Sequence, residues 1–341
     1  MIEWIKEVGR GRKGAKDLPY EEALKAAQTI LTGQATPAQI GAFLIAERIK
    51  METTEEIVAF VDSCRESFVP HPIANALDCA GPYDGRRTSF MATFPVAFVL
   101  GACGLPVTLH GSSSLPPKWG ITLKDIVQSL SVPVSTDARQ TLLTAAEQSK
   151  FLFVPTDEWC PALQNMRSIR LELGVRTVFN TVEKLLRFSN APYMAVGVFH
   201  GTVFDKIAQL LIRVGVEKGI VVQGMEGSED LTVTRLTRTL VIQNGEYEFV
   251  TIDPANYGLK TEIPEAEWTP ELQLQMAVAV LQGEADTAFR NLVLLNSAVR
   301  LWVTGYSSSI EEGLEQARTA LDEGAAWKQY QKWLSAVLAG S

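Results

Sequence analysis

Residues 78–93 read DCAGPYDGRRTSFMAT, a glycine-containing loop that directly follows a short predicted strand. Loops of this kind bind phosphate through successive backbone N–H groups, and they favour glycine and small polar side chains. Here Arg86, Arg87 and Phe90 stand where those small side chains are expected. The stretch predicts a phosphate site of unusual composition, in which the two guanidinium groups bind phosphate directly. A surface pair of arginines bound to helix ends is the alternative.

The sequence around this loop alternates between short apolar strands and helices. Directly after it, residues 95–111 (PVAFVLGACGLPVTLHG) predict a buried helix, a stop at Gly104 and a strand over 106–109. Two later runs, KFLFVP and YMAVGVF, have the length and composition of buried parallel strands. Residues 204–224 again read helix, glycine, strand. The alternation predicts an α/β fold with a mainly parallel central sheet.

Helical patterns replace this alternation at the N-terminus and in one internal segment. Thr36 and Thr53 each begin a predicted helix as N-cap residues, and prolines in residues 69–77 end the helical region. Residues 160–188 repeat the helical pattern, so we predict a small all-helical domain packed on a larger α/β domain. The predicted boundaries are 1–72, completed by about 160–190, for the helical domain and 73–159 and 191–341 for the α/β domain.

The composition limits the classes of partner. The chain has 341 residues, 46% of them apolar, and a net charge of −8. An acidic total argues against a nucleic-acid or membrane binder that uses its whole surface, but it allows a local basic patch. No apolar run has the length of a signal peptide or a membrane span, so we expect a cytoplasmic protein with no membrane partner. The widely spaced cysteines, with no C-x-x-C pair, predict reduced thiols and neither disulfides nor a zinc site.

Several segments, in one order, resemble the anthranilate phosphoribosyltransferase superfamily, which has the nucleoside phosphorylase/phosphoribosyltransferase fold. They include residues 31–57 (LTGQATPAQIGAFLIAERIKMETTEEI), 166–180 (MRSIRLELGVRTVFN), 251–259 (TIDPANYGL) and 280–305 (VLQGEADTAFRNLVLLNSAVRLWVTG). The resemblance implies the fold predicted above. It also implies transfer of the phosphoribosyl group of phosphoribosyl pyrophosphate (PRPP) to an amine, as in tryptophan biosynthesis, with Mg²⁺ as cofactor.

A homodimer through the helical domain is predicted on two grounds. The resemblance implies it, because members of the superfamily are typically homodimers. The N-terminal helices also hold more apolar surface than a small domain of this length should expose. The side chains that carry this second argument are Ile40, Phe43, Leu44 and Ile57.

Both phosphate loops depart from the family at most of their positions. The first keeps a glycine and an Asp-Gly pair of the family's G-T-G-G-D but is one residue shorter, and Phe90 and Ala92 replace an asparagine and a serine. The second has lost the lysine, asparagine and arginine of K-H-G-N-R-S. We expect the remaining and replacing residues to line one cleft. The residues predicted to bind phosphate or PRPP are Gly81, Asp84, Gly85, Arg86, Arg87, Thr93, His110, Gly111, Ser112 and Ser114.

The acceptor positions are mixed. Arg170 matches the arginine that the family uses on the anthranilate carboxylate, and a salt bridge to Glu172 or to a neighbouring helix is the alternative. Trp159 and Cys160 stand where the family has tyrosine and histidine, and they complete the predicted acceptor site. At 183–184, Glu-Lys replaces the glycine-proline of a loop that covers the acceptor.

The predicted metal site consists of two adjacent acids. Glu229 and Asp230 fall at the family's magnesium position, with their order reversed. Carboxylates suit this hard cation, so the resemblance implies a Mg²⁺ site. An ordinary acidic turn is the alternative.

A basic run precedes the first long helix. Arg10, Arg12, Lys13 and Lys16 are interleaved with glycines in an otherwise acidic chain. The pattern is typical of a flexible loop that contacts phosphates, and a solvated face is the alternative. We expect Arg10 and Arg12 near the mouth of the cleft.

Two functions of different class follow. The altered loop, together with the basic run, resembles a divergent branch of the superfamily, some of whose members are associated with nucleic-acid binding. The first hypothesis is a phosphoribosyltransferase, a pentosyltransferase with altered phosphate loops whose acceptor need not be anthranilate. The second is a catalytically inactive homologue that binds single-stranded nucleic acid or another polyphosphate ligand.

Overall fold

The computed structural model of the chain describes residues 1–11 and 13–339. The prediction for Arg12 therefore falls outside the described residues. Within them, no helix combines the length and the apolar character needed to cross a membrane.

Helices and strands account for most of the described chain. The helices are α1 (Ile2–Val8), α2 (Tyr20–Leu31), α3 (Pro37–Lys50), α4 (Thr54–Arg65), α5 (Thr93–Ala102), α6 (Leu123–Gln128), α7 (Arg139–Ser149), α8 (Thr156–Trp159), α9 (Pro161–Leu173), α10 (Phe179–Val182), α11 (Phe204–Arg213), α12 (Pro270–Gln282), α13 (Thr287–Thr304), α14 (Ile310–Asp322) and α15 (Ala325–Ala339). The strands are β1 (Leu77–Ala80), β2 (Val107–Gly111), β3 (Phe151–Pro155), β4 (Tyr193–Gly197), β5 (Lys218–Val222), β6 (Thr237–Gln243) and β7 (Glu246–Ile252).

The helical domain combines the N-terminal helices with the internal segment. Thr36 and Thr53 each form a capping box with the third residue of the helix that they begin, which sets the starts of α3 and α4. Helix α9 packs on α2 and α3, and α10 packs on α4, where the ring of Phe179 lies 5.6 Å from that of Phe60. The predicted helical domain is therefore confirmed as part of the fold.

The same packing overturns the argument that predicted a dimer from exposed apolar side chains. Ile40, Phe43, Leu44 and Ile57 are each at most 2% exposed in the single chain. The inserted helices and α2 cover the faces of α3 and α4 that the sequence left unpartnered. These four residues form the core of the helical domain and offer no surface to a second chain.

The α/β domain contains one seven-stranded sheet in the order β3-β2-β1-β4-β5-β6-β7. The first five strands run parallel, with Leu77 opposite Val107 on one side and Tyr193 on the other. Strands β6 and β7 are antiparallel. All residues of β1, β2 and β3 are buried, as expected for strands covered on both faces. The predicted mainly parallel sheet is confirmed.

The strand order places the site. From β1 the chain proceeds outward to β2 and β3, and it then returns to the other side of β1 to form β4 and β5. Loops that leave the carboxyl ends of β1 and β4 therefore diverge and leave a crevice between them. Ligands of open α/β sheets bind at such a switch point.

Candidate active site

A cavity of about 240 Å³ opens at the carboxyl ends of β1 and β4, between the two domains. The helical domain contributes the turn between α3 and α4, and the inserted segment contributes residues 180–185. An apolar-walled cavity with several converging charged groups is the usual setting of a small-molecule site. The charged side chains that line it are Glu52, Asp84, Arg176, Glu183, Lys184, Lys206 and Glu226.

The loop after β1 is held by backbone pairing with a second loop. Arg86 N donates to Ile121 O at 2.8 Å, and Gly120 N donates to Asp84 O at 2.9 Å. Gly85 has a φ of 75°, and a Cβ at this position would overlap the carbonyl group of Gly120. Only glycine allows the two loops to approach this closely. Gly85 therefore shapes the loop, whereas its predicted part in phosphate binding stays a prediction.

Asp84 is buried between two cations. Its Oδ2 lies 2.7 Å from Arg176 Nη2, and its Oδ1 lies 3.2 Å from Lys118 Nζ. Burial lowers the pKa of Lys118, and the neighbouring Asp84 opposes that shift. Asp84 and Arg176 both line the 240 Å³ cavity, and neither cation was predicted from the sequence to pair with Asp84.

Arg86 points inward and is almost inaccessible to solvent. Its side chain is 2% exposed, and Nη1 lies 2.7 Å from Asp230 Oδ2. The same nitrogen donates to Phe90 O at 2.9 Å. The prediction of an open phosphate-binding guanidinium is corrected for Arg86, because Asp230 holds its charge inside the protein. Arg87 is exposed to solvent.

Glu229 and Asp230, the residues predicted to bind Mg²⁺, are not arranged as ligands of a metal ion. Arg300 Nη2 lies 2.9 Å from Asp230 Oδ1, so both oxygens of Asp230 are engaged by arginines. Neither oxygen of Glu229 has a hydrogen-bond partner among the described residues, but Arg86 Nη2 lies 3.9 Å away. In the described part of the chain, no group of three or more His, Cys, Asp or Glu could hold a metal ion. Arg86 and Arg300 therefore supply the positive charges that balance Glu229 and Asp230.

Backbone N–H groups of the loop converge on a carboxylate of the protein itself. Glu226 accepts hydrogen bonds from the N–H groups of Arg87 at 2.9 Å, Thr88 at 3.1 Å and Ser89 at 3.0 Å, and from the Ser89 hydroxyl at 2.6 Å. Burial alone would raise the pKa of Glu226, but these hydrogen bonds lower it below the ordinary 4.5. An anion-binding turn is present, and Glu226 occupies it.

His110 belongs to a buried chain of three polar side chains. Its Nε2 lies 2.8 Å from Asp78 Oδ1, and its Nδ1 is hydrogen-bonded to the Tyr83 hydroxyl. Tyr83 lines the 240 Å³ cavity, and it also lines a smaller one of about 20 Å³. The structure brings several predicted phosphate residues to that smaller cavity, namely Gly81, Arg86, His110, Gly111 and Ser112.

Thr93 and Ser114 lie at the two remaining predicted phosphate positions. Thr93 begins α5, and its N–H donates to Asp230 Oδ2 at 3.2 Å. Ser114 O accepts a hydrogen bond of 2.9 Å from Arg167 Nη2. Within the described chain, the hydroxyl groups of both residues are buried without a hydrogen-bond partner. They are polar groups that a ligand or water could satisfy.

Arg170 is bound by an acid from the inserted segment. Its Nη1 lies 2.6 Å from Glu183 Oε2, and the two side chains are 5% and 0% exposed. The salt bridge that the sequence left open as an alternative therefore exists, but its partner is Glu183 and not Glu172. The cavity beside the pair has only about 10 Å³.

Trp159 and Cys160, which were predicted to contact the acceptor, are both buried in the core. Trp159 is buried under Arg139, whose guanidinium carbon lies 4.6 Å from the ring centroid. Cys160 is fully buried with its sulfur 3.5 Å from the Ser67 hydroxyl. Both residues sit where α8 meets α9 and pack into the core, so the predicted acceptor contact is corrected for them.

The described part of the basic run is partly neutralised. Lys16 Nζ lies 3.0 Å from Glu7, and Arg10 pairs with the same acid. Lys13 is exposed. The run leads to Asp17, which binds Lys50 at 2.9 Å, next to the turn at the cavity rim. A contact of the run with phosphate stays a prediction.

Comparison with known proteins identifies the family. A glycosyl transferase family model for a helical bundle domain matches residues 2–68, and one for the α/β domain matches residues 76–327. The anthranilate phosphoribosyltransferase of Acetivibrio thermocellus is 32% identical over 324 residues, which cover 94% of this chain and 92% of the relative. That of Syntrophotalea carbinolica is also 32% identical and covers 91% of this chain and 93% of the relative. The chain belongs to this glycosyl transferase family.

Solved structures agree on the fold. The anthranilate phosphoribosyltransferase of Thermus thermophilus superposes with a TM-score of 0.81 at 25% identity, over 98% of both chains. The Saccharomyces cerevisiae enzyme in complex with PRPP and Mg has a TM-score of 0.85 at 19% identity, over 99% of this chain and 98% of that one. The resemblance read from the sequence is confirmed for the superfamily, and the divergent branch stays a prediction.

Several residues of this family member's site were missed by sequence reasoning. Glu226 lies in an ordinary-looking GMEG turn, and Lys118 follows a pair of prolines. Arg300 was the clearest missed signal, because it is a lone charge in the apolar C-terminal half of helix α13. A buried charge of that kind requires a partner, which the adjacent acids provide.

Proposed function

We propose that this chain is a phosphoribosyltransferase that transfers the pentosyl group of PRPP to an amine without the anthranilate carboxylate. The donor and the reaction are taken from the relatives, which are anthranilate phosphoribosyltransferases across more than nine-tenths of the chain. The choice of acceptor rests on one observation, the buried pair of Arg170 and Glu183.

The buried pair of Arg170 and Glu183 argues against an acceptor that carries a carboxylate. Arg170 is the residue that the resemblance assigned to an acceptor carboxylate. Glu183 already places a carboxylate against it, inside the protein. A second carboxylate would have to break a buried ion pair, which leaves an uncompensated charge, and the adjoining cavity of about 10 Å³ has no room for it.

The 240 Å³ cavity suits an aromatic or aliphatic amine that carries no carboxylate. Its walls carry Val196, Val198 and Ile207, and Tyr83 closes one side. Lys184 lines it as well, and its Nζ donates to Gly197 O at 2.9 Å. Burial lowers the pKa of Lys184 to about 8, so a fraction of its amine is neutral near neutral pH. In the proposed reaction the acceptor nitrogen bonds to the ribose carbon as pyrophosphate leaves, and neutral Lys184 takes the released proton.

The first test measures pyrophosphate release from PRPP by the wild-type chain with a series of amines. We expect turnover with at least one amine that lacks a carboxylate, and rates with anthranilate lower by orders of magnitude. Ordinary turnover with anthranilate contradicts the proposed acceptor class. No release with any amine, together with binding of PRPP or single-stranded DNA, would favour the predicted binding protein without transfer.

The second test removes the internal carboxylate. In Glu183→Ala, the buried Arg170 loses its partner, and the loss of one member of a buried pair typically costs about 3–5 kcal/mol. We expect benzoate or anthranilate to restore part of the melting temperature, whereas benzamide does not. Glu172→Ala removes an exposed acid from α9 and is the matched control. Equal effects of benzoate and benzamide on Glu183→Ala would show that the Arg170 position does not receive acceptor carboxylates.

A further inference from the structure

The two acids at the family's magnesium position are balanced by arginines from two different elements. Arg86 comes from the loop after β1, and Arg300 comes from the C-terminal half of α13. Arg86 lies 2.7 Å from Asp230 and 3.9 Å from Glu229, and Arg300 lies 2.9 Å from Asp230. All four side chains are at most 2% exposed. Two carboxylates and two guanidinium groups sum to no net formal charge.

This balance leaves no net negative charge to attract a divalent cation. Guanidinium groups keep their charge at every pH that proteins tolerate, so they cannot yield the site by losing a proton. A metal ion bound to Glu229 and Asp230 would lie a few ångströms from Arg86, in a buried setting where like charges repel strongly. Asp230 also has no free oxygen, because Thr93 N donates to the oxygen that Arg86 contacts, and Arg300 contacts the other.

We propose that Arg86 is a built-in cation that replaces the metal ion at this position. The chain accordingly binds its phosphorylated ligand without a divalent ion held by Glu229 and Asp230. The position of Arg86 supports this assignment, since its backbone pairs with Ile121 and its guanidinium bonds Phe90 O. It also lines the 20 Å³ cavity together with His110 and Ser112, two residues that the sequence predicts to bind phosphate.

Removal of the Arg86 side chain should open this position to a metal ion. Arg86→Ala leaves Glu229 and Asp230 with Arg300 alone, so the cluster gains a net charge of about −1 and space beside two carboxylates. Hard divalent cations favour carboxylate oxygens, so the variant should bind such a cation. Arg87→Ala removes the same charge from the same loop but from an exposed position, and it serves as the matched control.

The experiment titrates Mn²⁺ into the full chain and follows the free ion by electron paramagnetic resonance. We expect wild type and Arg87→Ala to bind Mn²⁺ equally weakly, and Arg86→Ala to bind it at least about tenfold more tightly. Adding Glu229→Gln to Arg86→Ala should abolish the gain. Tight Mn²⁺ binding to wild type that Glu229→Gln removes would overturn the proposal, as would an unchanged affinity in a folded Arg86→Ala.

A second measurement needs no variant and covers the case in which Arg86→Ala does not fold. PRPP and inorganic pyrophosphate are titrated calorimetrically into wild type, once with EDTA and once with Mg²⁺. The inference rests on the proposed function only here, and it predicts affinities with EDTA within about threefold of those with Mg²⁺. Binding that requires Mg²⁺ contradicts it. If PRPP binds under neither condition, the transferase function fails, while the Mn²⁺ titration of wild type and Glu229→Gln still decides the role of the acids.

Discussion

Glu226 lies with its Oε1 2.9 Å from the backbone N–H of Arg87, and this contact joins the loop after β1 to the turn after β5. The other oxygen accepts from Thr88 and Ser89. Glu226 itself has a φ of 53°, a conformation that few residues other than glycine adopt. Strained backbone persists only where its surroundings hold it, and here the hydrogen bonds of the Glu226 carboxylate hold the turn against the loop after β1.

We predict that Glu226→Ala loosens the loop. It removes four hydrogen bonds to a carboxylate, and we expect the free energy of unfolding to fall by about 2–4 kcal/mol. Urea unfolding measures the change, and limited proteolysis should cut within residues 86–89 faster than in wild type. Glu248→Ala on the exposed strand β7 is the control and should change stability little. If Glu226→Ala unfolded at the same urea concentration as wild type, Glu226 would not hold the loop.

The contribution of Glu226 to stability should also depend on pH. Since the pKa of Glu226 is lowered in the folded chain, its contribution to stability is present above its ordinary value of 4.5 and is lost as pH falls through the lower folded value. The stability difference between wild type and Glu226→Gln should therefore be largest near neutral pH and shrink in acid. Thermal unfolding at a series of pH values checks this. If the stability difference between wild type and Glu226→Gln grew on acidification, the prediction would be wrong.

Glycine at 85 is predicted to be indispensable. Alanine there would force a Cβ into the Gly120 backbone at positive φ, and both loops hold the site. We expect Gly85→Ala to lose more than about 3 kcal/mol or to accumulate insoluble. Gly174→Ala is the matched control, because Gly174 also has a positive φ of 65° but no atom within 4 Å of the added carbon. It should cost only about 1–2 kcal/mol.

The fold could be predicted from the sequence because its signals are local. The capping threonines Thr36 and Thr53 start their helices, and runs such as KFLFVP form buried strands. The position of the site could be predicted from the sequence, but the partners of its side chains could not. The residues at the strand ends indicated where the loop lies. However, Arg86 pairs with Asp230, far along the chain, and Arg170 pairs with Glu183, which lies outside its own helix. Such partners depend on tertiary packing, which periodicity and spacing do not encode.

The homodimer remains a prediction, but its surface must differ from the one inferred from apolar positions. Ile2 on α1 and Ile49 on α3 are 58% and 65% exposed, and these two helices pack together. If the helical domain forms the interface, Ile49→Glu should convert a dimer to a monomer in light scattering at micromolar concentration. Leu338→Glu, on α15 in the other domain, is the control and should leave the mass unchanged. A monomeric wild type would refute the dimer.

Glu47 is predicted to make the helical domain sensitive to alkaline pH. Its side chain is buried 3.5 Å from Lys50 Nζ, but Lys50 binds Glu56 at 2.7 Å and Asp17 at 2.9 Å. Burial, reinforced by the negative charge of Glu56, raises the pKa of Glu47 to about 8. The carboxyl is therefore neutral in the folded chain at pH values where it is ionised in the unfolded one.

The sign of the effect follows from that difference. The folded chain binds one proton more than the unfolded chain between the ordinary pKa of 4.5 and about 8, so stability falls as pH rises through this window. Glu47→Gln cannot ionise, and it should match wild type near about pH 5 and exceed it by at least about 1 kcal/mol near about pH 9. Denaturant unfolding at both pH values measures this, with the exposed Glu21→Gln as control. If Glu47→Gln lowered stability equally at both pH values, Glu47 would be ionised in the folded chain, and Lys50 would be shared between two charged glutamates.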